Sequence, residues 1–276
     1  METPARIRNT LKKAVRSAQV FFPDASDIKS EMQFYVRRAL HRPHEHDFLG
    51  LKCFPRDLTG MFLDIGANRG QSIESIMLVR PKAKIVAFEP NPELWNKLRK
   101  RYGHQREIQL CNIALSDQED EIDLFVPSYH GYSFDGLASL DYEKAFTWLS
   151  SRTLFFFSEQ DITVQRYEIQ SKTLDSLKLQ PFFIKIDVQG FELNVIKGAL
   201  ETIKQHSPVF LIESLGKKSE IMSILNGFGY RMYAFRDGYF FEDEQGALNS
   251  FAMNDSKAQL LGQNQIGRAK NHARNI

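Results

Sequence analysis

From about Arg56 onward the chain alternates short apolar runs with stretches whose apolar residues recur every three or four positions, the pattern of a βαβ series. MFLDI (61–65) predicts a strand and residues 71–79 a helix closed by Pro81. KIVAF (84–88) predicts a second strand, followed by a helix over 93–101. Together they form one right-handed βαβ unit. IQLCNIAL (108–115) reads as a third strand and EIDLFV (121–126) as another. The turn-rich SDQED between them predicts a hairpin, and ITVQRYEI (162–169) alternates in the same way.

FFIKIDV (182–188) has the unbroken apolar character of a strand buried on both faces, and residues 192–205 predict one helix. PVFLIES (208–214) is the next strand, and a helix over 218–226 stops at Gly227 and Gly229. YRMYAF (230–235) and GYFFED (238–243) then read as a terminal antiparallel pair. These elements predict an α/β fold with a mostly parallel sheet and helices on both faces. Residues 1–55 read as an N-terminal helical extension, 56–253 as the domain, 127–160 as an irregular insertion or lid with a helix near 142–149, and 254–276 as a flexible tail.

Composition narrows the picture only slightly. The 276 residues are enough to bury a core without staples, and 36 Lys and Arg against 34 Asp and Glu leave a net charge of +2, which excludes nucleic acid as an expected main partner. Cys53 and Cys111 make no C-x-x-C pair, so neither a zinc site nor a disulfide framework is expected, and a cytoplasmic location is. The His41, His44 and His46 stretch reads as a solvated loop rather than a metal site. No apolar run reaches the length of a membrane span. Residues 6–22 predict a basic amphipathic helix, read as a solvated or docking element in preference to one that touches an anionic membrane. The 22 Phe fit either aromatic-rich strands or a lined pocket.

Three segments carry candidate chemistry. In Leu63-Asp64-Ile65-Gly66-Ala67-Asn68-Arg69-Gly70, the glycines let the backbone approach a ligand where a strand turns into a helix N-terminus. A pyrophosphate fingerprint G-x-G-x-x-G would need glycines where Asn68 and Gln71 stand, so a dinucleotide is disfavoured. Asp64 at the strand end instead suits the ammonium of an amino acid such as a methionine moiety, directly or through water. In Phe88-Glu89-Pro90-Asn91-Pro92, Glu89 ends the second strand at the distance from the glycine loop where a carboxylate accepts both ribose hydroxyls. In Ile184-Lys185-Ile186-Asp187, the strand period puts Lys185 and Asp187 on one side, and opposite charges in an apolar strand are either a structural pair or functional.

The blocks FLDIGANRGQS, IVAFEPNPE, NIALSD, LASL (137–140), TLDSL (173–177), FIKIDVQGFELNVIKGA and VFLIE, in that order from about residue 60 to 215, resemble the FkbM-type S-adenosylmethionine-dependent methyltransferases. The resemblance implies a Rossmann-like class I methyltransferase sheet, usually of seven strands, with methyl transfer most often to a hydroxyl oxygen. Position by position, it implies Asp64, Gly66, Asn68 and Gly70 around the methionine end, Glu89 on the ribose, Asn112 with Ala114 near adenine, and Asp187 facing the methyl group. Gln189 stands where the family often has Glu, which puts in doubt any role needing a second carboxylate there, such as metal binding. No metal is expected.

For the chemical step, Asp187 is the candidate to orient or deprotonate the acceptor, with Lys185 fixing its charge state and Glu213 as a second carboxylate on the following strand. The expected acceptor is a hydroxyl on a sugar, glycan, glycolipid or secondary metabolite. Tyr129, Tyr132, Phe134 and Trp148 suit either stacking on a sugar ring or a core. The competing readings are a nicotinamide-dependent oxidoreductase and a non-catalytic S-adenosylmethionine-binding scaffold.

Overall fold

The computed structural model describes residues 4–21, 23–58, 60–213, 218–242, 249–262 and 265–267. Two helices, α1 (Pro4–Phe21) and α2 (Pro23–Ala39), and a 3-10 segment (His46–Cys53) precede the sheet. The series β1 (Met61–Ile65), α3 (Gln71–Val79), β2 (Lys84–Phe88), α4 (Pro92–Tyr102) and β3 (Ile108–Cys111) follows the predicted βαβ pattern. α4 begins where Asn91 accepts a hydrogen bond from Glu93 N at 3.0 Å and Pro92 sets the first turn, and it ends among Arg99, Lys100 and Arg101, which suit its negative pole.

The chain then runs through β4 (Ala114–Leu115), β5 (Asp120–Tyr129), β6 (Tyr132–Ser133), α5 (Tyr142–Trp148) and β7 (Ile162–Lys172). It returns with β8 (Pro181–Ile186), α6 (Glu192–Lys197), α7 (Leu200–His206), β9 (Val209–Glu213) and α8 (Lys218–Gly227). It continues with β10 (Tyr230–Arg236), β11 (Tyr239–Glu242), β12 (Asn249–Asn254) and α9 (Asp255–Ala258). Among the described residues, the main sheet has the order β11-β10-β12-β9-β8-β1-β2-β3. Its β3, β2, β1, β8 and β9 are parallel neighbours, while β12 lies antiparallel to β9.

This is a Rossmann-like α/β sheet with a packed layer on each face. Phe62, Ala87, Phe183 and Leu211 meet α3, α4 and the 3-10 segment on one side, whereas Leu63, Phe88, Ile184 and Phe210 meet α6, α7 and α8 on the other. The chain leaves β1 toward β2 and β3 and later returns to β8 on the opposite flank, so the strand order reverses between β1 and β8. A crevice opens at the carboxyl ends of such a pair.

The middle of the chain departs from expectation. IQLCNIAL is not one strand: β3 closes the main sheet at Cys111, and β4 belongs to a second sheet of order β4-β7-β5-β6. Nor does 108–115 pair with 121–126, because β5 bonds to β7 over the whole of Asp120–Tyr129 and β7 separates it from β4. The long matched alternation of β5 and β7 outweighs the local turn, and Ser171 Oγ locks their start by accepting from Asp120 N at 3.1 Å. Regular structure also reaches into 127–160, where β5 continues to Tyr129, β6 pairs with it and α5 forms near the expected place. Tyr129, Tyr132 and Phe134 are buried core and so do not line a sugar site, whereas Trp148 is partly exposed with Arg16 of α1 over its ring at 4.6 Å.

The predicted helix over 192–205 is two, broken at Gly198 and Ala199. A Cβ at Gly198 would collide with the Ser116 carbonyl, so the helix yields where the second sheet crosses it. The predicted terminal pair is present as β10 and β11, but β12 inserts between β9 and β10. Regular structure therefore continues past Phe251, which is itself fully buried, through α9. Residues 263, 264 and 268–276 of the expected tail, and the strand ends Ser214 and Asp243, lie outside the described residues. At the other terminus α1 docks on the second sheet's lobe: Lys13 Nζ donates to Ser151 O at 2.6 Å and Phe155 N to Ser17 Oγ at 2.8 Å. Among the described residues no helix is long and apolar enough to cross a membrane.

Candidate active site

The glycine loop is built by backbone geometry. Gly66 and Ala67 both donate to Phe88 O at 3.0 Å, which folds the loop over the end of β2. Gly66 (φ 83°) is obligatory, since a Cβ there would overlap the Asp187 carbonyl. Asn68 also takes a left-handed conformation (φ 49°), which Asn tolerates better than most residues. Gly70 has a different reason to be glycine: a Cβ would lie 2.7 Å from the Tyr102 ring, whose hydroxyl donates to Gly70 O at 3.2 Å.

Glu89 closes the loop. Its Oε2 accepts from Asn68 N at 2.7 Å and its Oε1 from Asn91 N at 2.9 Å. Burial pushes its carboxyl up to about 7 despite these two donors. Asn112 stabilises the same turn by donating Nδ2 to Glu89 O at 2.8 Å and Pro90 O at 3.0 Å.

A charged row crosses the sheet beside this loop. Asp64 of β1 and Lys185 of β8 are register partners, so their side chains stand together on one face. Lys185 Nζ lies 4.0 Å from Asp64 Oδ1 and 3.2 Å from Asp187 Oδ2. Asp64 is fully buried; Ser72 Oγ donates to its Oδ2 at 2.5 Å, while Oδ1 has no hydrogen-bond partner beyond this ion pair. Burial raises the Asp64 carboxyl above its ordinary range. Burial alone would lower the Lys185 ammonium, but Asp64, Asp187 and Glu213 more than reverse this and hold it charged.

Asp187 and Glu213 are carboxyl neighbours whose ionisation is coupled. Burial opposes ionisation of Asp187, yet Lys185, Glu213 and Gln189 together keep it below the usual carboxylate range. Gln189 Nε2 donates to Asp187 Oδ1 at 2.9 Å, a bond that an ionised Glu at that position would not make. Burial and the adjacent Asp187 charge push Glu213 up to about 7, so Glu213 exchanges the pair's proton around neutral pH while Asp187 stays ionised.

These groups border an open cleft of about 940 Å³, its mouth included, between the sheet's carboxyl ends and the second lobe. Gly66, Asn68, Glu89, Ala114 and Asp187 line it. Asp64, Gly70, Asn112, Lys185 and Glu213 do not: Asp64 lies beneath it against Lys185, Lys185 and Glu213 stand behind Asp187, and Asn112 acts on the Glu89 turn. Ile113, Leu115, Leu124 and Leu140 form an apolar wall.

Sequence reasoning missed Asp135, which lines the cleft from the second lobe and accepts from Arg69 Nη2 at 2.6 Å, with Lys97 Nζ at 3.7 Å. It also missed Glu45 and Asn249, which lie within electrostatic reach of the charged row or beside it in register. The only sequence signal was the polar composition of residues 44–47, which reads as solvated loop. Among the described residues no group of three His, Cys, Asp or Glu side chains is arranged to hold a metal ion.

The chain is similar to the 2-O-methyltransferase NoeI of Sinorhizobium fredii, with 29% identity over 147 residues. The match covers 52% of this chain and spans 58% of that protein's length. Among solved structures it is similar to the methyltransferase FkbM of Methylobacillus flagellatus KT (16% identity, 71% of this chain, 43% of that one, TM-score 0.44). A SAM-dependent O-methyltransferase of Thermotoga maritima matches at 12% identity over 77% of this chain and 65% of that one, with a TM-score of 0.38. Superpositions at these scores carry no argument about function. Residues 64–232, more than half of the chain, match the methyltransferase FkbM domain, and they contain the glycine loop, Glu89 and the Lys185–Asp187–Glu213 row. The chain therefore belongs to the FkbM methyltransferase family.

Proposed function

We propose that the protein uses S-adenosylmethionine to methylate a hydroxyl oxygen on a sugar, glycan, glycolipid or secondary metabolite. The observation that carries this reading is Asp187, which lines the cleft just past the carboxyl end of β8 with Lys185 at 3.2 Å and Glu213 coupled to it from behind. A pair whose second carboxyl titrates at about 7 is partly doubly ionised near neutrality, and in that form Glu213 is suited to receive the proton that an alcohol loses on attack. The name of the similar 2-O-methyltransferase supports transfer to oxygen.

The cleft suits the cofactor. The Gly66 turn leaves no side chain between the loop backbone and the cleft. Each Glu89 oxygen accepts one backbone N–H and retains capacity for a ribose hydroxyl. The wall of Ile113, Leu115 and Leu124 suits a planar base, and Asn68 with Gly66 would face the amino-acid end. When bound, the cofactor supplies an electrophilic methyl group on a sulfonium. The chain's own part is then to hold the acceptor oxygen in line and take its proton on Glu213 in the doubly ionised form of the Asp187–Glu213 pair, which ends singly protonated, with Lys185 keeping Asp187 ionised throughout.

Calorimetry tests the cofactor: S-adenosylmethionine and its demethylated product should bind with micromolar-range affinity and NAD should not. Equal or tighter NAD binding would overturn the reading. Labelled S-adenosylmethionine offered with a glycan and metabolite panel, followed by mass spectrometry of the products, identifies the methylated atom. Labelled product appearing only on nitrogen or carbon would refute O-methylation.

A further inference from the structure

Asn249 lies outside residues 64–232 but opens β12 opposite Glu213 in the β9–β12 register, which puts it at the acidic end of the charged row. Its side chain is buried, and Nδ2 donates to Glu45 Oε2 at 3.0 Å and to Asp47 Oδ2 at 3.1 Å. Two carboxylates on one amide nitrogen fix the orientation of the side chain, because the carbonyl oxygen cannot donate to either. Oδ1 is therefore the atom left over, and it is buried with no hydrogen-bond partner. A buried acceptor in that state calls for a donor.

The segment carrying Glu45 is held in place. His44 N donates to Ser75 Oγ of α3 at 2.8 Å, and the His46 ring stacks on Phe235 at 5.6 Å. Glu45 feels the charges of Lys185, Asp47 and Asp187, His44 those of Lys185 and Asp187, and Glu213 that of Asp187. Asp64 and Asp187 flank the Lys185 ammonium, and Glu213 and Glu45 add negative charge within electrostatic reach, an environment that repels an anionic acceptor and favours neutral hydrogen-bond donors.

We infer that Glu45 and Asn249 form the acceptor-binding end of the site and accept hydrogen bonds from hydroxyls neighbouring the one that is methylated, so that the acceptor is an uncharged polyhydroxylated sugar. The inference rests on the methyl-transfer reading above. A carboxylate and an amide carbonyl side by side suit two adjacent hydroxyls, each of which must donate one proton. They also explain why acceptor recognition draws on residues beyond the family-wide domain: these positions tune the substrate while the domain supplies the chemistry.

The test uses full-length protein saturated with S-adenosylhomocysteine and titrated with methyl glycosides of the common hexoses, with hexose 6-phosphates as charged counterparts, binding being read by saturation-transfer NMR. At least one neutral glycoside should bind and the phosphates should not. Glu45→Gln and Asn249→Ala should each weaken glycoside binding about tenfold or more while S-adenosylhomocysteine affinity and the thermal midpoint hold. Equal glycoside binding by wild type and both variants overturns the inference and leaves methyl transfer standing. Loss of S-adenosylhomocysteine binding or of folding in Glu45→Gln also overturns it, by assigning that residue to the scaffold. Tight S-adenosylhomocysteine binding with no glycoside bound rejects the sugar class and this inference together, whereas no S-adenosylhomocysteine binding in the wild type rejects the methyl-transfer reading itself.

Discussion

Asp187→Asn separates catalysis from architecture because the geometry predicts opposite sizes for the two effects. The substitution keeps the shape of the side chain but removes the charge that Lys185 meets at 3.2 Å and that Glu213 opposes. Stripping one partner from a buried ion pair ordinarily costs about 3–5 kcal/mol. Here two groups compensate. Asp64 Oδ1 remains 4.0 Å from the ammonium, and Glu213, relieved of the adjacent charge that helps hold it near 7, ionises at lower pH and takes over as counter-ion. The expected loss is therefore no more than about 2 kcal/mol. Turnover has no such substitute, since the coupled pair that receives the proton is dismantled, and it should fall by roughly 10² to 10⁴. Turnover, calorimetric cofactor affinity and denaturation midpoint on the same variant decide the matter. Near-wild-type turnover with normal stability would remove Asp187 from the mechanism, and loss of folding together with cofactor binding would reduce it to a structural partner of Lys185.

Glu89→Gln should weaken cofactor binding by about 1.5–3 kcal/mol through lost charge-assisted hydrogen bonds. It should also lower the melting temperature of the free protein, because the new amide turns a donor toward Asn68 N or Asn91 N; calorimetry and a thermal scan check both. Gly66→Ala should cost more than about 3 kcal/mol, the sum of a left-handed backbone and the collision with the Asp187 carbonyl; an unchanged melting temperature would refute that account. Stability of the free protein should fall as pH rises from 5 to 8. Glu89 and Glu213 have folded-state values of about 7, above their unfolded range, so the native state binds more protons than the unfolded one across that window, and raising pH favours unfolding. Glu89 alone accounts for roughly 3 kcal/mol at most. Burial lowers His44 to about 4, which opposes this slope below about pH 6.5 and not above it; urea titrations at about pH 6.5 and 8 therefore isolate the carboxyls, and a flat profile there would show that burial is not perturbing them.

The glycine-loop side of the cleft was legible because it is written locally. Gly66, Asn68 and Glu89 fall at strand ends within two adjacent βα turns, and their spacing carries the turn, the backbone approach and the acidic residue together. The row of Asp64 and Lys185 was half legible. Strand period places Lys185 beside Asp187, but the partnership with Asp64 needs the β1–β8 register, which joins residues more than a hundred positions apart. Asp64 consequently reads from sequence as a ligand contact and in the structure lies beneath the cleft as a counter-ion. The hairpin expected at 108–126 failed for a related reason: a turn signal is local, whereas the competing β5–β7 pairing is settled by ten cross-strand partners that no window contains.

The acceptor side was illegible because it is assembled from three distant parts of the chain. Residues 44–47 have no periodicity, Asp135 lies in what looks like an irregular insertion, and Asn249 begins a strand that the sequence pattern does not predict, at the end of the domain. Each becomes intelligible only from the sheet. β12 inserts between β9 and β10, bringing Asn249 opposite Glu213, and the 3-10 segment packs Phe48 and Leu51 onto that same face, which carries Glu45 to the row's end. The division has a physical logic. A cofactor common to a family is met by backbone turns and by carboxylates fixed to strand ends, which leave little room for variation, whereas an acceptor is met by side chains on connecting and terminal segments that can change without disturbing the sheet. On that logic, exchanging residues 44–47 should alter acceptor preference while cofactor affinity stays within about twofold. Competition between two acceptors in a single labelled reaction measures this directly. An unchanged product ratio, or a cofactor defect as large as the acceptor defect, would show that the two halves of the site are not separable in this chain.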